Sequence, residues 1–196
     1  MIAVSSRIAV LRRLLEREDV RAISRRYFVS NGFDGTLTSI GVVVGAVLSG
    51  IPDGLTVVKI GLGAAVGLGT SALWSVWEIE RAETRAEILR IERAMLTDLE
   101  DTRVQRERRG ARFVHAAASG LGPLIGVLIP LVPFLFEGTV LSMAEAGVVG
   151  VALGIGVLAV FGAYMSTIAG QRWYVSAIRM ALAGLVVAVI NLFLPG

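Results

Sequence analysis

Five apolar stretches, each close to the length of one bilayer crossing, constrain this chain more than any other feature. They run from about Tyr27 or Phe33 to Ile51, Leu55 to Trp77, Phe113 to Phe136, Val140 to Met165, and Trp173 to Leu194. About 20 helical residues, rising 1.5 Å each, cover the ~30 Å of hydrocarbon in a bilayer. Hydrophobic residues make up 55% of the 196, above the roughly 45–50% usual for soluble domains. The expectation is an all-α integral membrane protein with five transmembrane helices.

The charges lie between these stretches. Residues 7–26 and 78–112 hold most of them, and nearly all the cations are arginine, Lys59 being the one lysine. The connectors Pro52–Gly54 and Glu137–Gly138 carry no arginine, whereas Arg172 marks the last connector. By the positive-inside rule the N-terminus, 78–112 and Arg172 are cytoplasmic and the C-terminus is outside. An even number of spans would put one arginine cluster on the wrong side. The expected organisation is 1–26 as an amphipathic cytoplasmic or interfacial helix and 27–77 as spans 1 and 2. A charged helical cytoplasmic insert over 78–112 and spans 3 to 5 over 113–196 complete it. The short connectors predict helical hairpins. The charged segment 7–26 does not read as a cleavable signal.

Ile8, Leu11, Leu15, Val20 and Ile23 form a stripe among arginines, the pattern of a helix lying on an anionic membrane or packed on the protein's own surface. Gly41/Gly45, Gly63/Gly67, Gly122/Gly126 and Gly150/Gly154 recur at i, i+4, which lets helix backbones approach closely within or between subunits. Pro123, Pro130 and Pro133 imply kinks or a broken helix in the third span. The run 61–69, GLGAAVGLG, has neither the preceding strand nor the spacing of a phosphate loop.

Absence of cysteine excludes disulfides, thiolate metal sites and cysteine nucleophiles. The single histidine, His115, suits an interfacial polar role. No nucleophile–base pairing or nucleotide motif is visible, so an enzyme is not expected, nor a nucleic-acid partner. An ionisable residue within a span is a functional candidate, and Asp34 is the foremost. If the span opens at Tyr27, Asp34 lies roughly 10 Å deep, able to bind a cation with Thr36, Thr38 or Ser39 lending oxygens. If the helix opens at Asp34, the carboxylate caps it instead. Glu80, Glu83 and Glu87 share a helical face, with Glu78 nearby. Converging carboxylates hold divalent cations, but the interleaved arginines favour a solvated face with pairs such as Glu87–Arg90 and Glu100–Arg103. Glu137 and Glu145 read as interfacial, Arg179 as snorkelling to headgroups, and Met143, Met165 and Met180 as packing.

The stretch FDGTLTSIGVVVGA (33–46) resembles the first-span signature of the vacuolar iron transporter family, an aspartate-glycine pair opening a Thr/Ser- and Gly-containing helix. GVLIPLVPFLF (126–136) is similar to that family's Gly-x-x-x-Pro-x-x-Pro stretch, and the last span and five-span layout also match. The resemblance implies export of Fe2+ or Mn2+ from the cytoplasm by a homodimer in a lipid bilayer, by proton exchange. It casts Asp34, with Thr38, as the ion pathway, and Glu78, Glu80, Glu83 and Glu87 as cytoplasmic metal-collecting residues. The metal is cargo, and no cofactor is expected. The expected location is a prokaryotic cell membrane. One departure stands out: the family's second-span Met and Glu fall on Ala72 and Val76, and Glu78, two residues on, lies about 200° around the helix. That departure keeps two alternatives open, a non-transporting structural or interaction protein on the same fold, and a transporter of another cation or small solute.

Overall fold

The computed structural model describes residues 17–95 and 103–193, the side chains of 103–107 excepted. Five α-helices account for almost all of it: α1 (Glu18–Leu48), α2 (Gly54–Met95), α3 (Arg103–Leu131), α4 (Met143–Ala169) and α5 (Trp173–Leu192). A 3-10 turn over Val132–Phe136 extends α3. All five are long and apolar enough to cross a membrane, and large apolar side chains such as Val66, Val140, Val148 and Val160 lie on the outside. The all-α, five-span architecture expected from the sequence is the one observed.

The helix boundaries have local causes. α1 opens at Glu18, with Glu18 and Asp19 in its first turn, where carboxylates suit the positive end of the helix dipole. It is continuous to Leu48, so the helix opens well before Tyr27. Of the segment 7–26, residues 17–26 belong to α1 and the rest lies outside the described residues. The first hairpin turns on Gly50 (φ 66°), with Ile51 N–H donating to the Ala46 carbonyl at 3.2 Å and Gly50 N–H to Val47 at 3.3 Å. This paired closure satisfies the last carbonyls of the helix and favours glycine at the left-handed position. Asp53 then caps α2, accepting from the Thr56 amide and hydroxyl at 2.8 Å each. Across the second hairpin Glu137 accepts from the Gly54 amide at 3.1 Å, which ties the two hairpin tips together. Ser142 and Glu145 form a reciprocal capping box at the start of α4. Both glutamates are thus committed to helix ends.

Of the segment 78–112, residues 96–102 lie outside the described residues. Its described residues are the C-terminal turns of α2, which runs 42 residues without a break, and the first turns of α3. In α3, Pro123 and Pro130 lie inside the helix, and regular α structure gives way to the 3-10 turn only before Pro133.

Small residues set the packing. A Cβ on Gly35 would lie 2.6 Å from Cα of Pro123, and one on Gly126 would lie 2.5 Å from the Gly32 carbonyl and 2.6 Å from Thr36 Oγ1. One on Gly122 would strike the Phe28 carbonyl. α1 and α3 therefore meet backbone to backbone, and Ser39 Oγ donates to the Val127 carbonyl at 3.0 Å across the seam. Gly150 and Gly154 play the same part for α4, against Pro130 and Ile40. Gly45, Gly63 and Gly67, by contrast, face open space. The i, i+4 glycine pairs thus divide into those consumed within the chain and those left uncovered.

Gly126→Ala is expected to destabilise the helix bundle by about 1–3 kcal/mol through overpacking. Gly63→Ala leaves the monomer unchanged or slightly more stable, since alanine gains helix propensity of up to about 1 kcal/mol. Thermal unfolding of the two variants in detergent checks the contrast.

Candidate functional site

Asp34 stands sixteen positions into α1, in the interior of a continuous helix. A cap at a helix start is therefore excluded, and the carboxylate belongs to the span. Its side chain is exposed on the surface of the chain and makes no hydrogen bond or ion pair among the described residues. Thr38, one turn on, shares that exposed face, and its hydroxyl donates to the Asp34 carbonyl at 2.9 Å. Gly41 and Gly45 continue the same face at i+7 and i+11, with the Asn191 side chain of α5 beside Gly41. Thr36 and Ser39 do not join them. Both are fully buried, Thr36 donating to Gly32 at 2.7 Å and Ser39 to α3. Of the three hydroxyls weighed beside Asp34, only Thr38 is placed with it.

At the other polar locus, the N-terminal part of α1 meets the C-terminal turns of α2 and the N-terminal turns of α3 around a cavity of about 360 Å³. Glu80 meets two rings there. Tyr27 Oη donates to its Oε1 at 3.2 Å, and His115 Nδ1 lies 3.1 Å from its Oε2, the imidazole only 4% exposed. The contact is close, though not aligned as a full hydrogen bond, and Nε2 of the same ring has no hydrogen-bond partner. His115 is thus a buried core group rather than an interfacial one. Glu87 pairs with Arg108 of α3 at 2.7 Å, not with Arg90, because the antiparallel α2–α3 packing brings Arg108 opposite. Glu78 lies 3.6 Å from Arg81. Glu83 is exposed. The pair Glu100–Arg103 lies outside the described residues.

The four glutamates therefore have different surroundings. Among the described residues no three His, Asp or Glu side chains converge closely enough to hold a metal ion. The second-span departure is visible as geometry: Ala72 and Val76 are buried, at 7% and 4% exposure, whereas Glu78 is exposed. The 200° offset read from the sequence places the carboxylate outside and the apolar side chains inside.

Sequence reasoning missed two features. One is the Tyr27–Glu80–His115 cluster, whose members are separated by 53 and 35 positions. The other is a polar thread joining three helices, in which Asn31 Nδ2 donates to Ser119 Oγ at 2.9 Å and Ser119 Oγ to the Ala72 carbonyl at 2.9 Å. No local pattern announces either. A lone polar residue in an apolar span, at Asn31 or Ser119, was the available signal.

Truncating Glu80 strands His115 and Tyr27, so Glu80→Ala is expected to cost about 1–3 kcal/mol. Glu83→Ala stays within about 0.5 kcal/mol, as for other surface positions. Denaturation of both variants in detergent gives the comparison.

Comparison with known sequences adds the lineage. An uncharacterized protein of Methanocaldococcus jannaschii is 27% identical over 169 residues, spanning 84% of this chain and 85% of its own length. A family profile described as VIT family matches residues 75–194, beginning after Asp34 and covering more than half of the chain. The chain belongs to the VIT family, the family of membrane metal-ion transporters that its first and third spans resemble.

Proposed function

We propose that the chain is a homodimeric exporter that moves Fe2+ or Mn2+ out of the cytoplasm in exchange for protons, with Asp34 as its intramembrane ligand or proton carrier. The observation that carries this reading is Asp34 itself, a carboxylate without a partner among the described residues, on the outer face of a spanning helix. A charge at the bilayer centre costs about 2.5–3.5 kcal/mol on insertion scales, and such groups usually face a bundle interior or a water-filled path. A second copy laid against the Asp34–Thr38 face, with a cation or proton held between the two carboxylates, offsets that cost. Twofold pairing sets like residues against each other, which would gather two carboxylates and two threonine hydroxyls near the axis. That is a hard-oxygen set suited to divalent cations. The uncovered Gly45 on the same stripe lets helices approach there.

The arginine-bearing ends of α1, α2 and α3 are taken as cytoplasmic by the positive-inside rule. Glu78, Glu83 and Glu87 are then placed to gather cations, whereas Glu80 serves chiefly to hold α1 and α3. A prokaryotic cell membrane is the proposed location, in keeping with the archaeal relative.

Burial of Ala72 and Val76 favours a second reading, a membrane protein that keeps the fold for a structural or interaction role. Metal binding separates the two. The purified protein is expected to bind Fe2+ or Mn2+ in a carboxylate-dependent way and to carry it into proteoliposomes, and Asp34→Asn to abolish that flux. Undiminished uptake by Asp34→Asn would reject the assignment, and absence of any selective metal binding by the native chain would leave the scaffold reading. Flux with which Fe2+ does not compete would point to another cation or small solute.

A further inference from the structure

The α2 turns beyond Trp77 look, in sequence, like a mixed run of arginines and glutamates. The fold sorts them. Glu80, Glu83 and Glu87 border the cavity beside α1. Arg81 and Arg85 instead join Arg109 and Arg112 of α3 around a second cavity of about 620 Å³ on the outer side of the α2–α3 seam. Glu92 is the one carboxylate lining it. Thr84 borders both cavities, so the partition runs down a single helix.

This basic cavity sits where the apolar part of α2 ends. The Arg112 guanidinium lies over the Trp77 ring, 4.3 Å from its centroid, and its Nε is buried without a hydrogen-bond partner. Arg81 and Arg109 are near enough to repel it, while Glu78 and Glu80 act in the opposite sense. Among the described residues neither Arg85 nor Arg109 has a carboxylate within ion-pair distance. Four guanidinium groups with donors to spare are gathered at one place, and the planar fork of arginine matches phosphate oxygens two at a time.

The same seam continues toward the hydrocarbon. On α2 the positions 66, 70, 73, 77, 81 and 84 follow one helical face. Val66, Thr70 and Leu73 of that face line an apolar groove of about 410 Å³ with Gly120, Leu121 and Leu124 of α3. Gly69 and Gly120 keep it open by bringing the backbones together. Leu73, Trp74 and Phe113 flank the transition with 43%, 64% and 57% exposure. Cations above an apolar groove, with a tryptophan at the boundary, form the complement of a lipid rather than of a soluble anion.

We propose that the α2–α3 seam binds one anionic phospholipid, its phosphodiester among Arg81, Arg85, Arg109 and Arg112 and one acyl chain in the groove. The site shares no side chain with the Asp34 face and holds whether or not the chain exports metal.

Native mass spectrometry of the full chain, released from phosphatidylcholine nanodiscs doped with phosphatidylglycerol, reads lipid retention and oligomeric state together. The native chain is expected to retain phosphatidylglycerol selectively. Arg109→Gln with Arg112→Gln lowers that retention by at least about tenfold, given ~1 kcal/mol per arginine near an anionic headgroup. Arg81→Gln with Arg85→Gln, on exposed positions of α2, gives the same loss without altering α3. Arg90→Gln with Arg93→Gln removes equal charge outside the cavity and leaves retention intact. Equal loss in that control pair means diffuse attraction and overturns the site. Inorganic phosphate binding as tightly as phosphatidylglycerol identifies a soluble anion and overturns the lipid. A changed oligomeric mass with retention intact makes the seam a contact between copies, which also overturns it.

Discussion

The rest of the structure depends on the backbone-to-backbone approach of α1 and α3. In hydrocarbon no hydrophobic effect drives one apolar helix onto another, so association rests on close packing and hydrogen bonds. Gly32 and Gly35 on α1 and Gly122 and Gly126 on α3 remove the side chains that would hold the helices apart. The Ser39–Val127 bond and the Asn31–Ser119–Ala72 thread can form only at that separation. This seam also decides which face of α1 is left over. Because Thr36 and Ser39 point into α3, Asp34 and Thr38 must point away from it, and the uncovered carboxylate follows from the covered glycines.

The chain therefore presents two kinds of polar chemistry at two depths. Asp34 stands on an outer helix face within the span, and the Tyr27–Glu80–His115 cluster closes the arginine-bearing end between three helices. The first has no protein partner among the described residues; the second has one carboxylate oxygen hydrogen-bonded to Tyr27 and the other 3.1 Å from the His115 ring. Only the first has spare coordinating capacity, and this is why the proposed transport role rests on it.

Much of this was legible in the sequence, for reasons that can be named. Apolar length and arginine placement reflect the bilayer directly, so the five spans and both hairpins were readable from composition along the chain. Asp34 was readable because a charge in an apolar run is conspicuous by itself. Its status as mid-helix rather than cap was not, because the start of α1 is marked only weakly, by Glu18 and Asp19 in its first turn; Arg17 precedes them without a side-chain cap. The pairing of Glu87 with Arg108 instead of Arg90 was hidden because helical spacing describes neighbours on one helix and is silent about the next. The same limit concealed the sorting of charge on α2, where positions alternate in sequence yet face different helices.

The unbroken length of α2 has a mechanical consequence. From Trp77 to Met95 the helix projects roughly 27 Å past the apolar stretch, at 1.5 Å per residue. Taken as one rigid rod, its longer arm, about 35 Å from Trp77 back to Gly54, carries Gly63 and Gly67, and its shorter arm carries the charged turns. A rigid tilt of about 5° about Trp77 would sweep the far end by roughly 2 Å, Glu87 by roughly 1.3 Å, and Gly63 by roughly 1.8 Å in the opposite sense on that geometry, so strain on the Glu87–Arg108 pair and displacement of the glycine face would be coupled. Glu80, about 4.5 Å along the helix from Trp77 and in contact with Tyr27 and His115, would move least in such a tilt.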